Sequence, residues 1–286
     1  MKKPEITVLM AIYNGTATLN AALRSIRNQT FEAWELLLID DASQDDPASF
    51  VSRFDDARIR VVRNPSNLGL AASLNCGIEL ATAPYIARMD ADDVSYPQRL
   101  EVQHEFLEKH SGVDVVGSKI LVFRDGGNAA GIISAANTHA AICGSRLSGA
   151  FPLHHPTWMG KTDWFRQHKY DPAFRKAQDY ELLLRAAATS TYANVPEILL
   201  GYRAEQSNIR KRLQTRRHVL MALIKNRRGK NGRLDLLRGA LVTCAKSAGD
   251  VTAAMGRTTL TEKFRFMRAQ PQEMALWEEV WRSVAD

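Results

Sequence analysis

The sequence predicts an α/β fold in which a Rossmann-like, mostly parallel central sheet is flanked by helices. Short apolar segments alternate with segments of helical periodicity over the first 118 residues, and this alternation is typical of layered α/β proteins. The strand-like segments are apolar throughout, as expected for strands that are buried on both faces. Turn-forming residues separate consecutive segments, which supports the assignment of separate elements.

The first half of the chain contains five predicted strands and four predicted helices. A β-branched apolar run predicts the first strand, leucine and isoleucine at helical spacing predict the first helix, and a proline supports the start of the fourth helix. The predicted strands are residues 6–12, 35–40, 59–63, 85–89 and 113–117, and the predicted helices are residues 19–26, 48–54, 69–80 and 97–110.

The pattern is less regular after residue 118. Residues 124–128 predict a hairpin turn, and residues 144–160 show no clear period and predict a loop. A helix is predicted from Gln178, with acidic residues in its first turn, where the helix dipole favours them. Helical periodicity continues beyond residue 205 over residues 212–226, 234–248 and 272–284.

Charge divides the chain into two parts. Residues 206–286 contain 17 Lys and Arg against 7 Asp and Glu, a net charge of +10, whereas residues 1–205 contain 21 against 24, a net charge of −3. We therefore predict an α/β domain over residues 1–205, with halves that meet near residue 118, and a helical basic C-terminal extension over residues 206–286.

Composition excludes several classes of protein. The chain is 45% hydrophobic and 24% charged, which is typical of a globular protein in water. It has no apolar run of about 18 residues, so no membrane-spanning helix is predicted, and its start does not resemble a signal peptide. Three widely spaced cysteines (Cys76, Cys143, Cys244) fit free thiols in a reducing cytoplasm.

Carboxylates cluster at the ends of two predicted strands. The side chains concerned are Asp40, Asp41, Asp90, Asp92 and Asp93. Ligands of parallel sheets bind beyond the carboxyl ends of the strands, so both clusters are expected to line one crevice. Hard cations such as Mg²⁺ and Mn²⁺ prefer carboxylate oxygen, which favours a metal site. A solvated acidic turn is the alternative interpretation.

Five short motifs together resemble the inverting family-2 glycosyltransferases with the GT-A fold. They are the first strand with Tyr13-Asn14, the Asp-Asp-x-Ser-x-Asp loop at 40–45, the Asn-x-Gly…Asn-x-Gly segment at 67–77, the Asp-x-Asp-Asp motif at 90–93, and Gln178-Asp179 at the place of a Glu-Asp pair. Five motifs in the correct order are specific, although each is short. The resemblance implies a GT-A (nucleotide-diphospho-sugar transferase) fold, a nucleotide-sugar donor that is usually a UDP-sugar, and Mn²⁺ or Mg²⁺. It fades after Arg203.

The resemblance implies a donor site formed by six residues. These are Ala11, Tyr13, Asp41, Asn67, Asp90 and Asp92. The Tyr13 ring either stacks on a uracil or lies half-buried in the sheet. The Asp41 carboxylate suits the uracil N3–H, while Asp40 shapes the loop. The Asn67 side chain either bonds the nucleotide or caps the helix that starts near Gly69.

The metal and the reaction involve further carboxylates. Asp90 and Asp92 are expected to divide the ribose hydroxyls and the metal between them, with Asp92 the better metal ligand. Asp93 coordinates the metal or orients its neighbours. The cation neutralises the charge that builds on UDP as the sugar leaves. Asp179 is the expected general base for the acceptor hydroxyl, and a helix cap is its alternative role. Gln178 replaces the usual Glu, so a charge-dependent role of that residue is absent.

The acceptor side is expected from two segments. The loop that carries His154, His155 and Trp158 is similar to the acceptor-side loop of the family, and a purely structural role is the alternative for its histidines. The Tyr202-Arg203 pair resembles one that contacts a pyrophosphate, because Arg suits bidentate phosphate contact. An exposed arginine without such a role is the alternative.

The basic extension has three interpretations. Between Arg210 and Arg238 there are eleven Lys and Arg and one acid, with an apolar stripe of Leu213, Val219, Leu220, Leu223 and Ile224. A basic amphipathic helix indicates contact with an anionic membrane surface. Packing on the catalytic domain or on a second subunit of a homodimer is the alternative. Nucleic-acid binding is not expected, because aromatic residues are scarce there and the aspartates elsewhere repel phosphates.

The predicted function is metal-dependent, inverting sugar transfer from a UDP-sugar to a hydroxyl of a glycan or lipid-linked acceptor. Family habit places it in bacterial surface-polysaccharide synthesis, in the cytoplasm or on the cytoplasmic face of the inner membrane. A nucleotidyltransferase or a dehydrogenase needs a glycine-rich phosphate loop after the first strand, and this chain has none. The remaining alternative is a non-catalytic membrane- or nucleic-acid-binding protein on a transferase-like fold.

Overall fold

A computed structural model describes residues 3–204, 209–227, 232–254 and 267–285 of the chain. A single nine-stranded sheet forms its centre. The strands are β1 (Ile6–Ile12), β2 (Trp34–Asp40), β3 (Ile59–Arg63), β4 (Tyr85–Arg88), β5 (Val94–Ser95), β6 (Val115–Arg124), β7 (Asn128–Ile133), β8 (Met159–Lys161) and β9 (Tyr192–Arg203). The helices of the described ranges are α1 (Thr16–Arg27), α2 (Pro47–Ser52), α3 (Leu70–Leu80), α4 (Arg99–Lys109), α5 (His139–Gly144), α6 (Thr162–Gln167), α7 (Gln178–Ala186), α8 (Ile209–Lys225), α9 (Gly232–Ala254) and α10 (Pro271–Arg282).

The first four strands form the parallel half of the sheet. They pair in the order β3-β2-β1-β4, and all three pairings are parallel. Buried apolar side chains cover both faces of these strands and form two separate hydrophobic clusters. The prediction of an apolar parallel sheet between helices is confirmed. Because the strands are parallel, their carboxyl ends meet at one edge of the sheet.

The second half of the sheet is mixed. β8 joins β4 and β6 by antiparallel pairing, β9 runs parallel to β6, and β5 pairs antiparallel with β9. The hairpin predicted at 124–128 is confirmed, because β6 and β7 pair on either side of residues 125–127. The loop predicted over 144–160 is wrong at its end, where β8 lies. A three-residue strand is too short to show a period in the sequence.

The helices α8 and α9 form a pair that packs on the α/β domain. Val219, Ala222 and Leu223 of α8 are buried, and a Cβ atom at Gly239 of α9 would lie 2.7 Å from the Leu223 side chain. The apolar stripe predicted to face a membrane is therefore divided, since Val219 and Leu223 point into protein. Arg228 and Lys230, which belong to the predicted basic segment, lie outside the described residues. No described helix combines the length and apolarity that crossing a bilayer requires.

The helix α10 packs against the far end of the sheet. Trp277, Val280 and Val284 form a buried cluster with apolar residues of β5 and β6. The Trp277 indole N–H donates to the Gly127 carbonyl at 2.7 Å, and its ring lies on Gly201 of β9. Cutting the chain at residue 205 would expose this cluster, so α10 belongs to the packing of the first 205 residues.

Replacing Gly201 with alanine is expected to lower the free energy of unfolding by about 1–3 kcal/mol. An added Cβ atom would lie 2.3 Å from the Trp277 ring, so the ring and α10 must move. Chemical denaturation measures the change, and Gly112→Ala is the matched control because no atom lies within 4 Å of its added Cβ. Equal stability of the Gly201 and Gly112 variants would contradict the packing of α10 on β9.

Candidate active site

Loops at the carboxyl edge of the parallel strands are tied to one another. The Asn14 backbone N–H, just past β1, donates to the Ser43 hydroxyl at 3.0 Å, and the Asn14 side-chain oxygen accepts from the Gln44 N–H at 2.8 Å. Asp45 accepts hydrogen bonds from the backbone and hydroxyl of Thr16, both at 2.8 Å. These bonds hold the loops after β1 and β2 in a single arrangement.

Asp41 is a buried carboxylate at the end of β2. Its Oδ1 accepts from the Asn64 amide at 2.8 Å and from the Leu68 N–H at 2.9 Å, and its Oδ2 accepts from the Gly69 N–H at 2.8 Å. Burial opposes ionisation, but these hydrogen bonds outweigh it and lower the pKa of Asp41. The carboxylate is therefore ionised and fixed in orientation. The sequence analysis did not identify Asn64, whose amide orients this group.

Asp40 has a structural role in the same loop. Its Oδ1 accepts from the Ser43 N–H at 2.8 Å, and its Oδ2 pairs with the Arg63 guanidinium at 2.7 Å. Arg63 also donates to the Ser43 carbonyl at 2.8 Å. These contacts match the expectation that Asp40 shapes the loop.

Tyr13 and Asn67 are exposed at the rim of this edge. The Tyr13 side chain lies just beyond β1 and is 51% exposed, so its ring is not buried in the sheet. Gly69 occupies the cap position of α3, and no side chain caps that helix. The alternative cap role of Asn67 is therefore wrong. Ala11 is partly exposed in β1, opposite Ile39 of β2.

The aspartates after β4 form a compact cluster. One carboxylate oxygen each of Asp90, Asp92 and Asp93 lies within 4.8 Å of the other two. Asp93 is fully buried, its Oδ1 accepts from the Arg203 N–H at 2.9 Å, and its Oδ2 has no hydrogen-bond partner. Burial, together with the charges of Asp90 and Asp92, raises the pKa of Asp93 well above its ordinary value.

This cluster fits a hard divalent cation. Three carboxylates are the oxygen ligands that Mg²⁺ and Mn²⁺ prefer. A buried carboxylate oxygen without a partner is costly in a protein interior, and a cation beside Asp93 would remove that cost. The Tyr202 hydroxyl belongs to the same surroundings, because burial and the charges of Asp93 and Asp90 raise its pKa.

Arg88 is a buried arginine at the centre of the site. Its guanidinium forms a bidentate ion pair with the Asp90 carboxylate, and only 3% of its side chain is exposed. Burial alone would lower the pKa of Arg88, but Asp90, Tyr170 and Asp93 outweigh it and raise the pKa. The charged arginine therefore compensates the aspartates around it. The sequence analysis missed Arg88, although an arginine inside an apolar strand segment was a usable signal.

Asp179 lies in the first turn of α7, where the charge of the same arginine acts on its carboxylate. Burial raises the pKa of Asp179, and hydrogen bonds from the backbone together with the Arg88 charge oppose this rise. The negative charge of Asp90 adds to the rise, so the donor-side cluster and α7 share one electrostatic environment. The helix cap is Ala177, which adopts a left-handed conformation with φ of 54° and contributes no side-chain cap. Gln178 is buried.

His155 and Tyr170 form a buried pair close enough to Arg88 for its charge to act on both. The His155 Nε2 lies 2.7 Å from the Tyr170 hydroxyl. Burial, with a contribution from the Arg88 charge, lowers the pKa of His155 well below its ordinary value, so the imidazole is neutral. The Tyr170 pKa is raised by burial and by Asp179 and Asp90, while Arg88 opposes the rise. His155 is thus linked to the site through its hydrogen bond with Tyr170 and through the Arg88 charge.

The other expected acceptor residues have structural contacts. Trp158 is fully buried and its indole N–H donates to the Leu153 carbonyl at 3.2 Å, so its ring does not form a wall of an open site. The His154 Nε2 lies 3.1 Å from the Ser134 carbonyl, and burial lowers the pKa of His154.

Arg203 supports the aspartate turn. Its Nε donates to the Asp92 carbonyl at 3.0 Å, its Nη1 pairs with Asp125 at 3.0 Å, and its guanidinium lies 4.7 Å from the centre of the Phe123 ring. In this arrangement the side chain is engaged with protein, and the alternative of an exposed arginine without a role is wrong.

The expected aspartates and their neighbours therefore form one group, to which the structure adds Arg88, Tyr170 and Asn64. The ends of β1, β2 and β4 carry the donor-side residues to one edge, and Arg88 and Tyr170 link Asp90 with Asp179. Trp158 does not join this group. Arg88, Tyr170 and Asn64 are the functional candidates that the sequence analysis missed.

Comparisons with known proteins identify the family to which the chain belongs. The model of the family described as Glycosyl transferase family 2 matches residues 7–168. The putative glycosyltransferase EpsE of Bacillus subtilis (strain 168) is 38% identical over 189 residues, which are 64% of this chain and 66% of EpsE. The UDP-Glc:alpha-D-GlcNAc-diphosphoundecaprenol beta-1,3-glucosyltransferase WfgD of Escherichia coli is 33% identical over 106 residues, which are 37% of this chain and 42% of WfgD. The chain thus spans just under two thirds of EpsE and less than half of WfgD.

Two solved structures resemble most of the chain. S. aureus TarS 1–349 in complex with UDP-GlcNAc has a TM-score of 0.66 at 14% identity, covering 98% of this chain and 81% of TarS 1–349. The mannosyltransferase PcManGT from Pyrobaculum calidifontis, in complex with GDP-Man and Mn²⁺, has a TM-score of 0.63 at 18% identity, covering 92% of this chain and 78% of PcManGT. At these identities the likeness shows a shared fold.

Proposed function

The chain belongs to glycosyl transferase family 2 and is a glycosyltransferase with the GT-A fold. We propose that it transfers a sugar from a UDP-sugar with inversion of the configuration at the anomeric carbon. The single observation that carries the proposal is the compact cluster of the Asp90, Asp92 and Asp93 carboxylates beside the buried Arg88. The pKa of Asp179, which burial and the Asp90 charge raise and the Arg88 charge lowers, supports the proposal that Asp179 acts next to this cluster. We further propose that residues 1–118 bind the donor and residues 119–205 the acceptor.

The uridine is proposed to bind between Tyr13 and Asp41. The exposed Tyr13 ring offers a stacking surface. Asp41 is ionised, and its Oδ2, which receives the Gly69 N–H, has a second lone pair for the uracil N3–H. Asn67 and Ala11 would line the nucleoside.

Asp92 and Asp93 are the proposed metal ligands, with Asp90 shared between the metal and the ribose. When bound, Mn²⁺ or Mg²⁺ would supply charge neutralisation at the diphosphate as it leaves. Arg88 holds the Asp90 carboxylate through both oxygens, which fixes the direction in which Asp90 meets the ribose. Arg203 fixes the turn through the Asp92 carbonyl and through Asp93.

Asp179 is the proposed general base. Its carboxylate would accept the proton of the acceptor hydroxyl as that oxygen attacks the anomeric carbon opposite the departing nucleotide. Burial raises its pKa, which makes the carboxylate a stronger base than an ordinary aspartate. Arg88 and the backbone N–H of Tyr180 keep enough ionised carboxylate for the reaction. The neutral His155 with Tyr170 would support the acceptor side.

We propose that the acceptor is a glycan or a lipid-linked saccharide of bacterial surface-polysaccharide synthesis. This proposal is supported by WfgD, whose name specifies an undecaprenol-linked acceptor. A lipid-linked acceptor would require work at a membrane surface, which the basic residues of α8 and α9 would favour. We accordingly propose a peripheral location on the cytoplasmic face of the inner membrane.

Binding and turnover of UDP-sugars test the donor proposal. UDP is expected to bind more tightly with Mn²⁺ or Mg²⁺ than without, and Asp92→Asn is expected to weaken this metal-dependent binding by about 10–100-fold. Calorimetry measures binding, and release of UDP from UDP-sugars measures turnover. Asp163→Asn is the matched control, because that carboxylate is 94% exposed.

Two results would contradict the proposal. Equal, metal-independent UDP binding by the wild type and the Asp92 variant would remove the metal site. Tight RNA binding by a protein that turns over no nucleotide sugar would favour the alternative of a non-catalytic module.

A further inference from the structure

The helix α9 presents an apolar face to solvent. Six of its side chains recur at spacings of one, three or four residues and point to one side of the helix. They are Leu234, Leu237, Leu241, Cys244, Ala245 and Ala248, and all six are exposed. Leu237 is 62% exposed and Leu241 is 71% exposed. We call this group the α9 outer face.

The opposite side of α9 fixes the orientation of the helix. Thr243 is buried, and Gly239 lies so close to Leu223 of α8 that a Cβ would lie 2.7 Å from it. The Lys246 ammonium donates to the Ser148 carbonyl at 2.5 Å, and Asp235 pairs with Arg146 at 3.5 Å. Because these contacts lie on the inner side, the helix cannot rotate to bury its leucines without losing them.

The charges around the α9 outer face are positive. The two acids of α8 and α9 are both in ion pairs, Asp235 with Arg146 and Asp250 with two arginines of α8. On α9 itself the exposed Arg233 and Arg238 flank the outer face. The other exposed basic side chains of the described α8–α9 region are Arg210, Lys211, Arg217, Lys225, Arg227 and Lys246. The outer face therefore combines exposed leucines with a basic border.

We propose that the α9 outer face lies in the headgroup layer of an anionic lipid membrane. Leucines at the centre and arginines at the border match the arrangement of an interfacial helix, whose apolar side enters the acyl boundary. Arginines near an anionic leaflet add attraction. A second copy of the chain would oppose this surface with like charges, which disfavours self-association. The inference rests on the proposed membrane location and assigns it to α9 instead of α8.

Vesicle sedimentation tests the surface directly. The full chain is expected to bind vesicles of phosphatidylcholine mixed with phosphatidylglycerol more tightly than vesicles of phosphatidylcholine alone. The double variant Leu237→Glu/Leu241→Glu is expected to bind the anionic vesicles at least about tenfold more weakly than the wild type. Leu276→Glu, on α10, is the matched control because Leu276 is 42% exposed on another part of the surface. Circular dichroism and UDP binding verify that the variants are folded.

The natural thiol of Cys244 provides a second measurement. Cys244 lies on the α9 outer face and is exposed, so a polarity-sensitive fluorophore attached there, with Cys76 and Cys143 replaced by serine, should shift its emission to the blue on anionic vesicles.

Equal vesicle binding by wild type and double variant would overturn the assignment to α9 while leaving membrane binding intact. Absence of binding by the wild type would overturn membrane association itself. A wild-type dimer that the double variant converts to a monomer would assign the face to self-association and overturn the proposal. UDP-sugar turnover tests the enzyme proposal separately from all three outcomes.

Discussion

Replacing Asp179 with asparagine is expected to lower kcat about 10²–10⁴-fold, the usual contribution of a positioned general base. Asparagine keeps the shape of the side chain and the hydrogen bonds from the start of α7, but it cannot take a proton from the acceptor. UDP binding should remain at the wild-type level, because the proposed role of Asp179 is toward the acceptor hydroxyl and not toward the nucleotide. Steady-state kinetics with a defined acceptor and calorimetry with UDP measure the two quantities. Glu197→Gln, an exposed carboxylate on β9, is the control.

The Asp179→Asn variant is also expected to change how the free energy of unfolding depends on pH. Burial raises the pKa of Asp179 in the folded state, so the folded protein binds this proton more tightly than the unfolded chain does. The stabilisation from that proton is complete below the ordinary aspartate pKa and is lost as pH rises through the raised value. At neutral pH the Asp179→Asn variant should therefore be as stable as the wild type or more stable. The charged groups that act on the Asp179 carboxylate are Arg88 and Asp90, with Tyr170 and the neutral His155 in the same surroundings.

Full transfer activity in the Asp179→Asn variant would contradict the role of Asp179 as the general base.

Replacing Arg88 with methionine is expected to damage both stability and donor use. Breaking a buried ion pair leaves an uncompensated charge, and because Asp90 is 29% exposed we expect a loss of roughly 3 kcal/mol in the free energy of unfolding, the low end of the usual range. The Asp90 carboxylate would lose its fixed direction, so kcat/KM should fall about 100-fold or more, as expected for misplaced reacting groups. Urea denaturation and donor-dependent kinetics measure the two effects.

Two further variants separate positioning from folding. Arg88→Lys keeps the positive charge but cannot bond both Asp90 oxygens in the same way, so it should recover most of the stability and little of the activity. Arg60→Met removes an exposed arginine of β3 and should change neither quantity. If Arg88→Lys restored stability and activity in the same proportion, the role of Arg88 would be structural alone.

The parallel half of the sheet could be predicted because its signals are local. The strands β1 and β2 are largely apolar runs, and Asp40 and Asp41 stand at the end of β2, so position along the strand predicts position at the carboxyl edge of the sheet. Arg88 could not be assigned in the same way. Its ion-pair partner Asp90 is only two residues away, but Asp179, Tyr170 and His155 come near enough to feel its charge only when distant segments pack together, and no local pattern reports those distances.

The basic extension illustrates another limit of periodicity. The spacing of apolar residues correctly predicted that α8 has an apolar side, but a pattern does not say what covers that side. Protein covers Val219 and Leu223, while the less conspicuous α9 leaves its leucines in solvent. The loop predicted over 144–160 is wrong where β8 begins, because a three-residue strand is too short to show a period in the sequence.

The packing of α10 has a consequence for how the enzyme matures during translation. The Arg203 side chain contacts the aspartate turn and lies against the Phe123 ring. Its guanidinium is also 6.0 Å from the centre of the Trp281 ring of α10, so this support is complete only when α10 has docked. Domains assemble as the nascent chain emerges, with earlier segments folding first. The strands that carry the aspartate turn therefore leave the ribosome before the helix that supports this turn, and a chain stalled between them would lack the contact of Arg203 with Trp281. We therefore expect the aspartate turn to reach its final packing only after Trp277 and Trp281 have been synthesised.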